Sequence, residues 1–129
     1  MNKLDKESVL GISALLVHAA NIDEIYSDHE KDLVRNFIKS YLKDEDSNSM
    51  LKRAEEIEKN SNQLLSFTNI IKKNPTDVKK DIIEHLWKVI ISDNSVDQYE
   101  ANLMRRICGL IYFPDKECAE IKLKLIDSK

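Results

Sequence analysis

Apolar stripes at helical spacing, separated by short polar breaks, run the length of this chain. Val9, Ile12, Leu16 and Ala20 recur at intervals of three to four residues, and Leu10, Ala14 and Val17 widen the stripe. That spacing predicts a first helix from about Lys6 to Asn21. Leu33, Val34, Phe37, Ile38 and Tyr41 predict a second, from Asp28 to about Leu42. The run Lys43-Asp44-Glu45-Asp46-Ser47-Asn48-Ser49 reads as a polar loop. A third helix, Met50 to about Asn60, is strongly charged and expected at the periphery. Leu64, Leu65, Phe67, Ile70 and Ile71 suggest a short fourth. Asn74-Pro75-Thr76-Asp77 reads as a fresh start, with Asn74 as N-cap and Pro75 at the first helical position. The fifth helix then runs to about Ile91 and the sixth from Gln98 to about Ile111, where Phe113-Pro114 breaks it. A seventh covers about Lys116 to Ile126. Period-two alternation, the mark of a half-buried strand, is sustained nowhere. The expected architecture is all-α: a compact bundle of about seven helices.

Composition sharpens this in three ways. Two Gly and two Pro in 129 residues are too few for the turns of a sandwich or barrel. A net charge of -3, with lysines scattered among acids, carries no nucleic-acid footprint. No linker or low-complexity stretch divides the chain, so residues 1–129 read as one domain. The segment from Lys3 to Ala19 has the outline of a signal peptide. However, Asp5 and Glu7 spoil its positive end, and Gly11 and Ser13 interrupt its apolar run. No apolar stretch spans a bilayer, so no membrane insertion is expected. Cys108 and Cys118 lack a CxxC partner and read as reduced thiols, which with the rest places the protein in the cytoplasm.

An internal repeat carries the functional reading. Shifted by 70 residues, the segment Leu16 to Glu30 falls on Leu86 to Glu100. Asp23 meets Asp93, Glu30 meets Glu100, Leu33 meets Leu103 and Arg35 meets Arg105. Two helix–acidic turn–helix hairpins of one design are thus expected to pack about a pseudo-twofold axis and share a core.

An apolar helix ending in Ala-Asp-Gly-x-apolar-x-x-x-Glu, given twice about seventy residues apart, resembles the TerB-like family. That family takes in the tellurite-resistance TerB proteins and the N-terminal domain of the co-chaperone DjlA. The second copy, Leu86 to Asp97 with Arg105-Arg106, is the nearer match, and the likeness runs from about Val9 to Ile121. The resemblance implies a helical protein with a metal site at its acidic turns. Here the turn glycine is replaced by Asn94 in the second copy, and Asn tolerates the left-handed conformation. In the first copy it is replaced by Glu24, and Ile22 stands for Ala. A Glu held at positive φ costs about 1 kcal/mol, so the first turn is expected to differ in shape.

Each acidic residue has a structural reading beside the ligand reading. Ser27-Asp28-His29-Glu30 and Asp97-Gln98-Tyr99-Glu100 are capping boxes in outline, each cap worth about 1 kcal/mol. Capping is the common use of that spacing and accounts for both glutamates. Asp23 and Asp93 end helices, where the macrodipole disfavours negative charge. They have four open roles: closing the turn through an Asx hydrogen bond, facing the next helix's N-terminus, pairing with Arg35 or Arg105, or ligating a cation. The ligand set is Asp23, Glu30, Asp93 and Glu100, with Asp97 as an addition. All-oxygen ligands favour Ca²⁺, Mg²⁺ or Mn²⁺ over Zn²⁺. Asp93, Ser95 and Asp97 alternate as in a calcium loop, but Glu100 comes too early for an EF-hand. His29 reads as a solvated first-turn side chain, His18 and His85 as structural, and Trp87 as a core or rim anchor. Tyr99 and Tyr112, if exposed together, would mark a protein interface.

No nucleophile–base pair or phosphate loop accompanies the acids, so no enzyme activity and no catalytic residue is expected. The first expectation is a non-enzymatic stress-response protein of the tellurite-resistance type, holding a divalent cation at its paired turns. The alternative is a metal-free interaction module of co-chaperone type. In it the acids only cap helices, and the polar helix around Lys52 to Lys59 docks a protein partner.

Overall fold

The computed structural model describes residues 4–21, 27–43, 45–60, 64–91 and 98–127, with the side chains of residues 64 and 98–100 outside the description. Among the described residues seven α-helices follow one another: α1 Lys6–Ala20, α2 Asp28–Tyr41, α3 Ser47–Asn60, α4 Leu64–Lys72, α5 Thr76–Ile90, α6 Gln98–Leu110 and α7 Asp115–Asp127. No strand occurs among the described residues, and no helix there is long and apolar enough to cross a membrane.

α1 sits at the centre. The Asp5 carboxylate accepts from the Ser8 N–H at 2.7 Å and caps it, and those hydrogen bonds hold the Asp5 carboxyl below its usual range. Beyond Ser8 its side chains are buried almost all round, from Val9 to Ala20. A helix apolar on every side must be enclosed, and α2, α3, α4 and α5 all pack against it. Gly11 lets α4 come close, since a Cβ there would lie 2.4 Å from Ile70 Cδ1.

The repeat is carried into the helices. α5 begins and ends 70 residues after α1, and α6 begins 70 residues after α2. Equivalent positions are buried in both halves: Leu16 with Leu86, Val34 with Met104, Phe37 with Ile107, Ile38 with Cys108. Ala19 and Ala20 answer to the larger Val89 and Ile90. Small residues suit α1, which is hemmed in by more neighbours. α3 packs on α1 as α7 packs on α5, and α1 meets α5 directly. All the buried apolar side chains on these helices except Ala54 and Ile91 join one continuous core.

Three details depart from the expectations. The helix after the polar run starts at Ser47, not Met50. Asp46 explains this: its Oδ1 accepts from Asn48 N–H at 3.0 Å and its Oδ2 from the Ser49 hydroxyl at 3.1 Å, so the helix starts inside the polar run. Nor is α3 peripheral. Met50, Leu51 and Ala54 are buried in a helix that packs on α1 and α2, while Lys52, Arg53, Glu56 and Lys59 are exposed. Finally, Asn74 does not cap α5. Its side-chain N–H donates to the Ile70 carbonyl at 2.8 Å and its backbone N–H to Ile71 at 3.0 Å, closing α4 instead. Pro75 takes the N-cap position of α5 with no side-chain cap.

The corner between α6 and α7 is a Schellman reversal. Phe113 N–H donates to the Cys108 carbonyl at 2.8 Å and Tyr112 N–H to Gly109 at 3.4 Å. The left-handed position that glycine ordinarily fills holds Tyr112, at φ 60°. Its ring is exposed and lies under Lys72 Nζ, 4.8 Å from the centroid. Pro114 then starts α7, its carbonyl accepting from Cys118 N–H at 3.1 Å.

Candidate metal site at the paired acidic turns

The first half-site is built where α1 ends and α2 begins. Asn21 closes α1 with its N–H on the Val17 carbonyl at 3.0 Å. Ser27 and Glu30 open α2 as a full capping box. Glu30 N–H donates to Ser27 Oγ at 3.2 Å, and Ser27 N–H donates to Glu30 Oε1 at 2.9 Å. The Ser27 hydroxyl also contacts Oε1 at 3.1 Å. The capping role expected of Glu30 is therefore present. Glu30 has a second feature that capping does not require: it is only 6% exposed, and it is the one buried Asp, Glu, Lys, Arg or His among the described residues. Capping glutamates ordinarily sit at a solvated helix end. A carboxylate withdrawn from water needs positive charge or donors around it, and the N-terminus of α2 supplies part of both.

His29 and Asp28 next to it are exposed, in keeping with His29 as a solvated side chain. The Arg35 guanidinium pairs with Asp32 on its own helix and holds that carboxyl below its usual range. Asp23 lies outside the described residues, as do Asp93 and Asp97 in the second turn. Glu100 stands in the first turn of α6, in register with Glu30 in α2, and its side chain lies outside the description. Among the described residues no three His, Cys, Asp or Glu side chains are grouped to hold a metal ion. Of the expected ligands, the structure thus places Glu30 fully and Glu100 by its backbone.

The histidines read as structural make ordinary contacts. His18 Nδ1 is 3.9 Å from Glu58 on α3. His85 packs edge-on against Phe37, and its Nδ1 is 2.8 Å from the Asp81 carbonyl. Trp87 is a core anchor, 4% exposed. Tyr99 lies outside the described side chains, while Tyr112 is exposed.

One surface feature escaped the sequence reading. Ser40 and Tyr41 of α2 face Asp77, Lys80, Asp81 and Glu84 of α5 across an open groove of about 450 Å³. Tyr41 donates its hydroxyl to Asp81 Oδ2 at 2.6 Å. Burial and that carboxylate push the Tyr41 phenol well above its ordinary range. The sequence signal was present, since Asp77, Asp81 and Glu84 recur at one helical face. Only the packing of α2 against α5 brings Tyr41 to it.

A seven-helix fold in which α5 and α6 repeat α1 and α2 at a fixed offset, with a glutamate opening the second helix of each pair, defines the class. A family profile described as "Tellurite resistance protein TerB" matches residues 10–123, from within α1 to within α7. The chain belongs to the TerB family. Comparison with curated proteins and with solved structures gives no significant match.

Proposed function

We propose that this TerB-family protein is a non-enzymatic, cytoplasmic stress-response protein that holds a divalent cation between its two acidic turns. Asp23 and Glu30 supply carboxylates from the first turn, Asp93 and Glu100 from the second, with Asp97 as an added ligand. The observation that carries the reading is the burial of Glu30 at the first turn, in a fold whose second half repeats the first in register. A buried carboxylate fits a cation site, because a bound cation adds its charge to the groups that offset desolvation. A donor set of oxygens suits Ca²⁺, Mg²⁺ or Mn²⁺ better than Zn²⁺. Bound there, the ion would cross-link the two halves and supply charge, not chemistry.

Glu30→Gln separates ligand from cap. Glutamine serves the capping box as glutamate does, but it brings no charge. The test is thermal unfolding of metal-stripped protein with and without millimolar Ca²⁺, Mg²⁺ or Mn²⁺, alongside Glu30→Gln and Asp93→Asn. An ion at 100 times its Kd adds about 2.7 kcal/mol, a shift of several degrees in a domain of this size. Wild type should gain that shift and both variants lose it. If no ion moves the wild-type midpoint, the carboxylates are caps, and the metal-free interaction module becomes the reading. Its partner would be sought on the exposed face of α3 at Lys52, Arg53, Glu56 and Lys59.

A further inference from the structure

α7 carries a second apolar face that the fold leaves uncovered. Cys118 and Ile121 are buried and Leu125 half-buried where α7 packs on α5 and α6. Ala119, Leu123 and Ile126, at steps of four and three residues, share another side of the helix. All three are exposed, Leu123 at 59% and Ile126 at 42%. Among the described residues only four large apolar side chains are that exposed, and two of them stand one turn apart here. Apolar side chains scattered singly need no explanation; a stripe along one helix points to a contact. The charges beside it suit an antiparallel neighbour. Lys116 and Asp127 lie about three turns apart, nearly in line along one side of the stripe. Both are exposed, and neither makes an ion pair among the described residues. Each stands at the wrong end of its own helix, since a cation in the first turn and an anion in the last oppose the macrodipole. A second α7 laid antiparallel puts each beside the opposite charge and the opposite helix end. On the other side of the stripe, the half-buried Lys122 holds its Nζ 5.4 Å from the centroid of the buried Trp87 ring, which draws it inward.

We propose that this face of α7 is a self-association surface, and that its occupant is the α7 of a second copy of this chain, packed antiparallel about a twofold axis. Leu123 sits nearest the axis, and Ala119 of each copy receives Ile126 of the other, small against large. Lys116 of one copy meets Asp127 of the other, and the symmetry makes that pair twice. A narrow apolar seam edged by complementary charges is how two helices pair in a coiled coil. The contact is small. A stable dimer buries about 800 Å² on each partner, more than three side chains on a helix of 13 residues offer. The dimer is therefore weak: it forms as concentration rises, and salt screens its two ion pairs.

The test is sedimentation equilibrium of the full chain, in chelator and reductant, from about 10 µM to about 1 mM, the range in which a small interface associates. The expected result is a reversible monomer–dimer equilibrium within that range. Leu123→Glu should remove it, while the far-ultraviolet circular dichroism stays that of wild type, because residue 123 is exposed. Lys116→Glu and Asp127→Lys should each weaken the dimer roughly threefold to tenfold at low salt, since each loses both exposed ion pairs. Mixed together, those two variants should form the heterodimer in preference to either homodimer, because both pairs are then restored. A chain that stays monomeric up to about 1 mM overturns the proposal, and so does association that survives Leu123→Glu unchanged. Mixing without preference would overturn the antiparallel arrangement.

Discussion

Tyr112 and Tyr41 are two tyrosines under opposite constraints. Tyr112 holds the left-handed position of the α6–α7 corner, where a side chain with a Cβ costs about 1–2 kcal/mol relative to glycine. Its ring gains something back from Lys72, so a single substitution would mix two effects. Comparing Tyr112→Gly with Tyr112→Ala cancels the ring, since both lose it. Glycine should be the more stable of the two by about 1 kcal/mol in urea unfolding. A reversed order would mean that the corner is not held left-handed. Tyr41 is constrained by a partner, not by its backbone. Tyr41→Phe removes the hydroxyl donated to Asp81 and should cost about 1 kcal/mol at neutral pH. The pH dependence follows from the raised phenol. In the folded state the proton is held more tightly than in the unfolded chain. The contribution is therefore complete below the ordinary tyrosine range, near pH 10, and is lost as pH rises through the folded value. Stability measured from pH 8 to 11 should fall more steeply in wild type than in Tyr41→Phe.

At the scale of the element, α3 shows what a stripe pattern conceals. Its sequence is mostly charge, and only Met50, Leu51, Ala54 and the half-buried Ile57 mark an inner face. That short stripe suffices because α1 and α2 enclose it from both sides. Leu51→Ala should therefore cost about 2–5 kcal/mol, the usual range for a buried leucine, while Lys52→Ala stays within about 0.5 kcal/mol. Equal small effects at both positions, read by chemical unfolding, would return α3 to the periphery. Most of the fold was legible because helical spacing of apolar residues is local. What was not legible depends on which of two neighbours a polar side chain serves. Asn74 can cap the helix ahead or close the helix behind, and the sequence offers both. Asp46 lay inside a run of polar residues, any of which could have been the cap. In the acidic turns, the capping pattern of Glu30 was readable, but its burial was not, since burial depends on tertiary packing that spacing along one helix does not record.

The whole molecule raises the question of whether two repeated halves make one unit or two. Repeats that fold separately would each need a private core. Here α1 lies against α5, α2 packs on α5 as well, and one continuous cluster runs from Leu4 to Ile121. Neither α1 nor α5 could keep its buried face dry without the other half. Folding should then be a single cooperative event. The chain offers a direct probe, because its one tryptophan, Trp87, is buried on α5 in the second half. Fluorescence of Trp87 reports that half, whereas far-ultraviolet circular dichroism reports helices in both. The two signals should give the same midpoint and the same slope in urea, since slope scales with the surface exposed on unfolding. If the second half melted separately, fluorescence would change over a different range of urea and with a shallower slope. Coincidence would also bear on the acidic turns. An ion held by ligands from both halves stabilises only the state in which both are folded, so added cation should move the two transitions together. An ion bound by one half alone has no such obligation in a molecule whose halves separate. Cooperative unfolding is thus the physical condition under which paired turns act as one site.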